Sequence, residues 1–350
     1  MSREALTGKH WLIGTVGAMG VFLDGYDLSV ISFSALLISS AYHVPTSGAE
    51  YALLLSSALI GMIVGGVLFG RMADLLGRRT MFLVDLLMFV VFAALSALAS
   101  NVAEIIIFRA LMGIGIGADY PISSSLIAEL SPSGRRGTLL MYGIMFYWLG
   151  ALASGLVNYA ALPLGPSLSW RVALGLGALI AAPVVAARQL VPESARWLMA
   201  VGREAEAREV AREVWGSLEV PGQRPAGVRD LLGRYRRPFA YVLLAWFAFD
   251  VGSYGLGFYT PTLYYELGIR SLPTIALFTA LTAPFPIASY LVLMLMIDRV
   301  GRRTPTLIGF GVMAAVLALL APIVRITPYL LFPLYATFAA MEQWPGGILT

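Results

Sequence analysis

The stretch Arg109–Gly137, RALMGIGIGADYPISSSLIAELSPSGRRG, decides how the rest of this chain is read. It lies in a long apolar segment, yet it carries a cation at Arg109, acids at Asp119 and Glu129, and a closing pair at Arg135 and Arg136. Gly113, Gly115 and Gly117 alternate with apolar residues just ahead of Asp119. A glycine run of this kind also occurs in dinucleotide-binding loops. Here it follows no strand and sits inside an apolar span, so close helix packing explains it better. An ionisable side chain placed mid-span costs roughly 2.5 kcal/mol or more to insert, so each one is a functional-site candidate.

Composition fixes the class. The chain has 350 residues, 59% hydrophobic and only 13% charged, against about 25% charged in soluble domains, and its mean hydropathy is +0.80. These values describe a multi-spanning, all-α membrane protein. There is no cysteine, and His10 and His43 are the only histidines, which argues against disulfides, thiol chemistry and a histidine metal site. Most arginines lie in short loops between apolar segments, so the net charge of +4 does not point to nucleic acid. No nucleophile–base–orienter set is visible, and no enzyme activity or cofactor is expected.

Apolar segments of spanning length, about 20 residues each, fall at roughly 11–39, 51–76, 80–99, 103–130, 137–161, 169–190, 239–266, 272–297, 304–324 and 328–350. The first contains Asp24 and Asp27 and exceeds a signal-peptide core, so it reads as a retained span. Arginine-rich loops alternate along the chain, which places the N-terminus and the 191–238 segment on the cytoplasmic side of a plasma membrane. Within 191–238, Ala207, Val210, Ala211 and Val214 mark one face of an amphipathic helix.

An internal repeat organises the spans. Asp74-Leu75-Leu76-Gly77-Arg78-Arg79 recurs 224 residues later (74 to 298) as Asp298-Arg299-Val300-Gly301-Arg302-Arg303. The same offset carries Asp119-Tyr120-Pro121 onto Gln343-Trp344-Pro345, and a shift of 226 carries Asp24 onto Asp250. The register predicts a six-helix bundle at 1–190, a cytoplasmic linker at 191–238 and a partial bundle of four helices at 239–350. On this reading the second half is truncated after helix ten.

The loop Gly70-Arg71-Met72-Ala73-Asp74-Leu75-Leu76-Gly77-Arg78-Arg79 resembles the loop between helices two and three of the major facilitator superfamily. Pro192-Glu193-Ser194-Ala195-Arg196-Trp197-Leu198 is similar to a motif of that superfamily's sugar porters and proton symporters. Gly117-Ala118-Asp119-Tyr120-Pro121-Ile122-Ser123 and Asp24-Gly25-Tyr26-Asp27-Leu28 resemble the phosphate:proton symporter group. The resemblance implies a major facilitator fold of two pseudo-symmetric six-helix halves. It also implies a substrate site lined by Tyr120, Trp246, Asp250 and Tyr254, and a proton route through Asp24, Asp85 and Asp119. Gly70, Asp74, Gly77, Arg78 and Arg79, with Asp298, Gly301 and Arg302, would form a conformational latch.

Residue spacing agrees with parts of this reading. Trp246, Asp250 and Tyr254 follow each other by four and share one helical face. Asp119, about 16 residues into its span, reaches the mid-membrane level at ~1.5 Å per residue. The pattern departs from the group at three places. Tyr147, beside Trp148, stands where a glutamine is expected in helix five. Gly346 stands where an asparagine is expected, and the helix carrying a counter-cation is absent. Arg109 reads as a helix-packing ion-pair partner rather than a substrate ligand, and Asp27 reads equally as a second relay acid or as hydrogen-bonded to a neighbouring helix.

The expected function is a proton-coupled symporter with inorganic phosphate as the leading substrate. A sugar or organic-acid symporter, favoured by Tyr147 and Trp148, is the alternative. A non-transporting remnant or sensor is a third reading. The partners expected are a small-molecule or anion substrate, protons and the lipid bilayer, with no nucleic acid, and the chain is expected to act as a monomer.

Overall fold

The computed structural model describes residues 8–130, 136–215, 233, 235–324 and 327–349. Every regular element among them is helical. Six spans precede the connector: α1 (Gly8–Tyr42), α2 (Ala49–Leu76), α3 (Arg78–Leu98), α4 (Val102–Leu130), α5 (Arg136–Ala161) and α6 (Pro166–Arg188). Two short helices follow, α7 (Ala195–Ala200) and α8 (Glu204–Trp215). Then come α9 (Arg236–Glu266), α10 (Leu272–Thr282), α11 (Pro284–Val300), α12 (Arg303–Val324) and α13 (Leu331–Leu349).

Each apolar segment became a helix, with one correction. The 272–297 segment reads as one span but is two helices meeting at Ala283, because Pro284 and Pro286 begin a new helix where they can donate no amide hydrogen. The amphipathic helix is present as α8, with Ala207 and Ala211 buried and Val210 packed beneath the first bundle. Most of the linker after it, residues 216–232, lies outside the described residues.

Lipid-facing surfaces carry exposed apolar side chains such as Ile63, Val67, Leu98, Leu179 and Leu295. α1 differs, because Leu23, Tyr26, Leu28, Ile31 and Phe33 are all buried along it. It runs through the middle of the first bundle, against α5, α6 and α4. Its closest approach to α5 is set by Gly25 and Gly150. A Cβ on either would overlap backbone atoms of the facing helix, Tyr147 O and Phe22 O respectively. α2 and α4 cross in the same way: Gly61 and Gly65 abut carbonyls of Ala110 and Ile114, while Gly113 and Gly117 abut those of Ala58 and Met62. Gly115 faces α3 at the Asp85 carbonyl. The glycine run is therefore a packing device, as small residues are in membrane helices.

The two ends of the repeat share a backbone feature. Gly77 between α2 and α3, and Gly301 between α11 and α12, both have positive φ, 100° and 73°, a conformation glycine adopts without strain. The halves meet where α1 packs on α9 and where α5 packs on α10 and α11. At the end farthest from the connector they are joined by Tyr51 OH and Thr262 Oγ1, 2.6 Å apart, and by Thr46 Oγ1 donating to Glu266 at 2.7 Å.

Candidate transport site

The acids of the first bundle converge on a residue that sequence reading passed over. Arg188, at the end of α6 and 1% exposed, reaches Asp85 of α3 at 2.6 Å and Asp119 of α4 at 2.5 Å. It also donates to the Phe82 carbonyl, and its guanidinium lies 3.7 Å above the Phe82 ring. Ser123 Oγ donates to Asp119 at 3.0 Å. Asp24 of α1 lines the same small void, beside Gly20. A side chain at position 20 would overlap both Arg188 Nη2 and Asp119 Oδ2, so α1 can approach only as glycine there. Asp24, Asp85 and Asp119 are thus brought together around one arginine. Arg188 Nε and the second oxygens of Asp85 and Asp119 are buried with no hydrogen-bond partner among the described residues.

Asp27, one turn beyond Asp24, turns to a different partner. Arg109 Nη1 and Nη2 reach its two carboxylate oxygens at 3.1 and 3.0 Å, with Arg109 fully buried. The pair ties α1 to α4, and Arg109 does not line the central cavity.

That cavity, about 830 Å³, lies between the halves, bounded by α1, α2, α5, α9, α10, α11 and α13. Trp246, Asp250 and Tyr254 all line it from α9, and Tyr147 and Trp148 line it from α5. The Trp246 side chain hydrogen-bonds the Asp250 carboxylate one turn on. Tyr147 and Trp148 sit edge to face at 5.6 Å. Tyr120 lies in α4, and its side chain is outside the described residues. α13 adds Glu342 and Gln343. The repeat matched Gln343 to Asp119, while the acid beside it went unread, although a lone carboxylate in an apolar segment was signal enough. Gln343 Nε2 donates to Glu342 at 3.0 Å and to the Ala339 carbonyl at 2.6 Å.

At the α2–α3 turn, Asp74 is exposed and its carbonyl accepts from Trp197 Nε1 at 2.9 Å. The carboxylate at the α3 N-terminus belongs to Glu193, which accepts from the amides of Arg78 and Arg79 at 3.1 Å each. Arg79 also donates to the Gln189 carbonyl at 2.8 Å. The turn and the segment after α6 thus form one hydrogen-bonded unit in which Gly77 leaves room for Glu193 and Trp197. Gly70 is half-buried with open space around it, Arg302 is exposed, and the Asp298 side chain lies outside the described residues.

Comparison with known proteins agrees with this architecture. YaaU of Escherichia coli K12, described as a metabolite transport protein, is 30% identical over 337 residues, covering 95% of this chain and 75% of its own. The niacin transporter NiaP of Acinetobacter baylyi is 28% identical, covering 86% and 70%. A repressible high-affinity phosphate permease of Neurospora crassa is also 28% identical, covering 85% and 63%. The xylose transporter XylE of Escherichia coli, in a partially occluded inward-open conformation, superposes with a TM-score of 0.78 at 22% identity, over 97% of this chain and 86% of that one. Residues 13–331 match the model of the sugar (and other) transporter family. With its helical architecture and central cavity, the chain belongs to that family of major facilitator transporters.

Proposed function

We propose that the chain is a proton-coupled symporter that carries an organic, ring-bearing solute through the central cavity. The observation that carries the coupling is the Arg188 cluster. Three carboxyl groups from α1, α3 and α4 share one guanidinium in a buried site, and a proton is the counter-charge such a site lacks. A proton arriving at Asp119 competes with Arg188 for the same oxygen and loosens α6 from α4. Asp27 of α1 and Arg109 of α4 form a second buried pair, a further candidate for linking proton binding to movement of α1. The arginine asymmetry supports a plasma-membrane location with a cytoplasmic N-terminus, and a monomer contains both sites.

The ring-bearing solute is favoured by the aromatic lining, with Tyr147, Trp148 and Trp246 offering flat faces. Phosphate is the second reading, supported by the Asp119-Tyr120-Pro121 motif, by the Trp246, Asp250 and Tyr254 face, and by the phosphate permease among the relatives. Against it, the only charged side chains among the described lining residues are the acids Asp250 and Glu342, whereas phosphate recognition relies on cations.

Proteoliposomes with an inward proton gradient test both parts. Labelled ring-bearing organic solutes are expected to accumulate ahead of phosphate, and a protonophore is expected to abolish accumulation. Asp119→Asn is expected to stop uphill uptake while leaving solute exchange. Uptake indifferent to the protonophore would refute coupling, and accumulation of phosphate alone would replace the organic solute.

A further inference from the structure

The reading of the central cavity as the solute site can be taken further, to the charge of the solute. Three features of the lining bear on it. The first is its charge. Asp250 and Glu342 stand on helices from the same half, α9 and α13, and lie within electrostatic reach of one another. No lysine, arginine or histidine lines the cavity among the described residues. A low-dielectric cleft lined by one sign of charge concentrates ions of the other.

The second is the state of its hydroxyl groups. Ser32, Ser56, Thr260, Thr279 and Thr282 each donate to a carbonyl three or four residues back in their own helix. The one amide in the lining, Gln343, is spent on the Ala339 carbonyl and on Glu342. These hydroxyls spend their hydrogens on their own helices and can offer only an oxygen to a solute, which suits a cation better than an anion.

The third is its aromatic character. Trp246 hydrogen-bonds Asp250, so an indole ring and a carboxylate are held side by side at the cavity wall. A ring face and an adjacent carboxylate both attract a cation. Neither Arg109 nor Arg188 supplies the missing charge, since each is buried and already paired within the first bundle.

We infer that the solute is an organic cation, a protonated or quaternary nitrogen on a small apolar or aromatic body. Its nitrogen pairs with Asp250 at the Trp246 face. Asp250, the less buried of the two acids, makes the contact. Of the cations this lining fits, one with an aromatic group uses both the charge and the rings in a volume of about 830 Å³.

The test is equilibrium binding to the purified full chain at neutral pH, with radiolabelled benzyltrimethylammonium as the probe. Competitors are benzyl alcohol, benzoate, D-xylose and inorganic phosphate. The ammonium is expected to bind at least about tenfold more tightly than benzyl alcohol or benzoate, the scale of a desolvated cation–π contact with charge pairing. Asp250→Asn is expected to abolish this preference and Asp250→Glu to retain it. Wild-type protein alone can overturn the inference: if benzoate, phosphate or xylose binds as tightly as the ammonium, the solute is not a cation. Unchanged ammonium binding in Asp250→Asn overturns it as well. Proton-driven uptake in liposomes separates this from the coupling mechanism. Should xylose or phosphate be driven uphill without ammonium binding, the cation inference falls and coupling stands. Should the ammonium bind through Asp250 while no solute follows the proton gradient, coupling falls and the cation inference stands.

Discussion

Replacing Arg188 with leucine removes the single cation from a site with three acids. Two charge-assisted contacts are lost at once, to Asp85 at 2.6 Å and to Asp119 at 2.5 Å. Removing one partner of a buried ion pair costs about 3–5 kcal/mol, because the other charge is left unpaired. The two contacts share one guanidinium, so their costs do not add, and ~3–5 kcal/mol is the expected loss. Asp119→Asn is milder. The amide still presents an oxygen to Arg188 and Ser123, and Asp85 remains as counter-ion, so about 1–2 kcal/mol is expected. Combining Arg188→Leu with Asp85→Asn and Asp119→Asn removes the orphaned charges and should restore roughly half of what Arg188→Leu alone loses. Thermal unfolding of purified protein in mild detergent, followed by tryptophan fluorescence, reads this order directly: wild type, then Asp119→Asn, then the triple variant, with Arg188→Leu lowest. An Arg188→Leu protein that melts with wild type, or one that the neutral partners do not rescue, would refute the idea that Arg188 holds these acids together.

Other predictions test the packing and the turn. Gly25→Ala and Gly150→Ala should each destabilise by about 1–3 kcal/mol through forced separation of α1 and α5; Gly255→Ala, with nothing near its Cβ, should be neutral or stabilising in the same melts. Glu193→Ala should cost about 1–2 kcal/mol as a lost helix cap and raise hydrogen exchange at residues 78–81 selectively; uniform exchange across α3 would count against the cap. The chain contains no cysteine, so a cysteine at Glu209 in intact cells should resist a membrane-impermeant thiol reagent while one at His43 reacts, and the reverse pattern would invert the proposed orientation.

The fold was legible in the sequence because lipid imposes simple rules. Spanning length and apolarity located every span, and Gly77 and Gly301 marked matching turns in the two halves. The break at Ala283 was missed because hydropathy is blind to it, although Pro284 and Pro286 announce it. The site was legible on one side of its chemistry only. Acids in apolar helices stand out, so Asp24, Asp85, Asp119 and Asp250 were found. Arg188 closes an apolar segment, where an arginine reads as an interfacial anchor, and only the tertiary fold turns it inward. A charge count could have found it, since the four acids Asp24, Asp27, Asp85 and Asp119 in one bundle need more than the single cation Arg109, which pairs with Asp27. Glu193 was quoted as part of a motif, but its role as the α3 cap depends on a contact between segments more than a hundred residues apart. Asp74, named for the latch beside it, has an exposed side chain in this structure.

The seam at the end farthest from the connector has a consequence for how solute binding can drive transport. Over a shared apolar core, its polar contacts among the described residues are two hydrogen bonds, Tyr51 with Thr262 and Thr46 with Glu266. Such bonds contribute about 0.5–1.5 kcal/mol each, somewhat more when one partner is charged. Together they bias the populations of closed and open states at that end by roughly one to two orders of magnitude. A solute need therefore prefer one state by only a few kcal/mol to offset this polar part of the seam, an amount that one well-placed ionic contact in the cavity supplies.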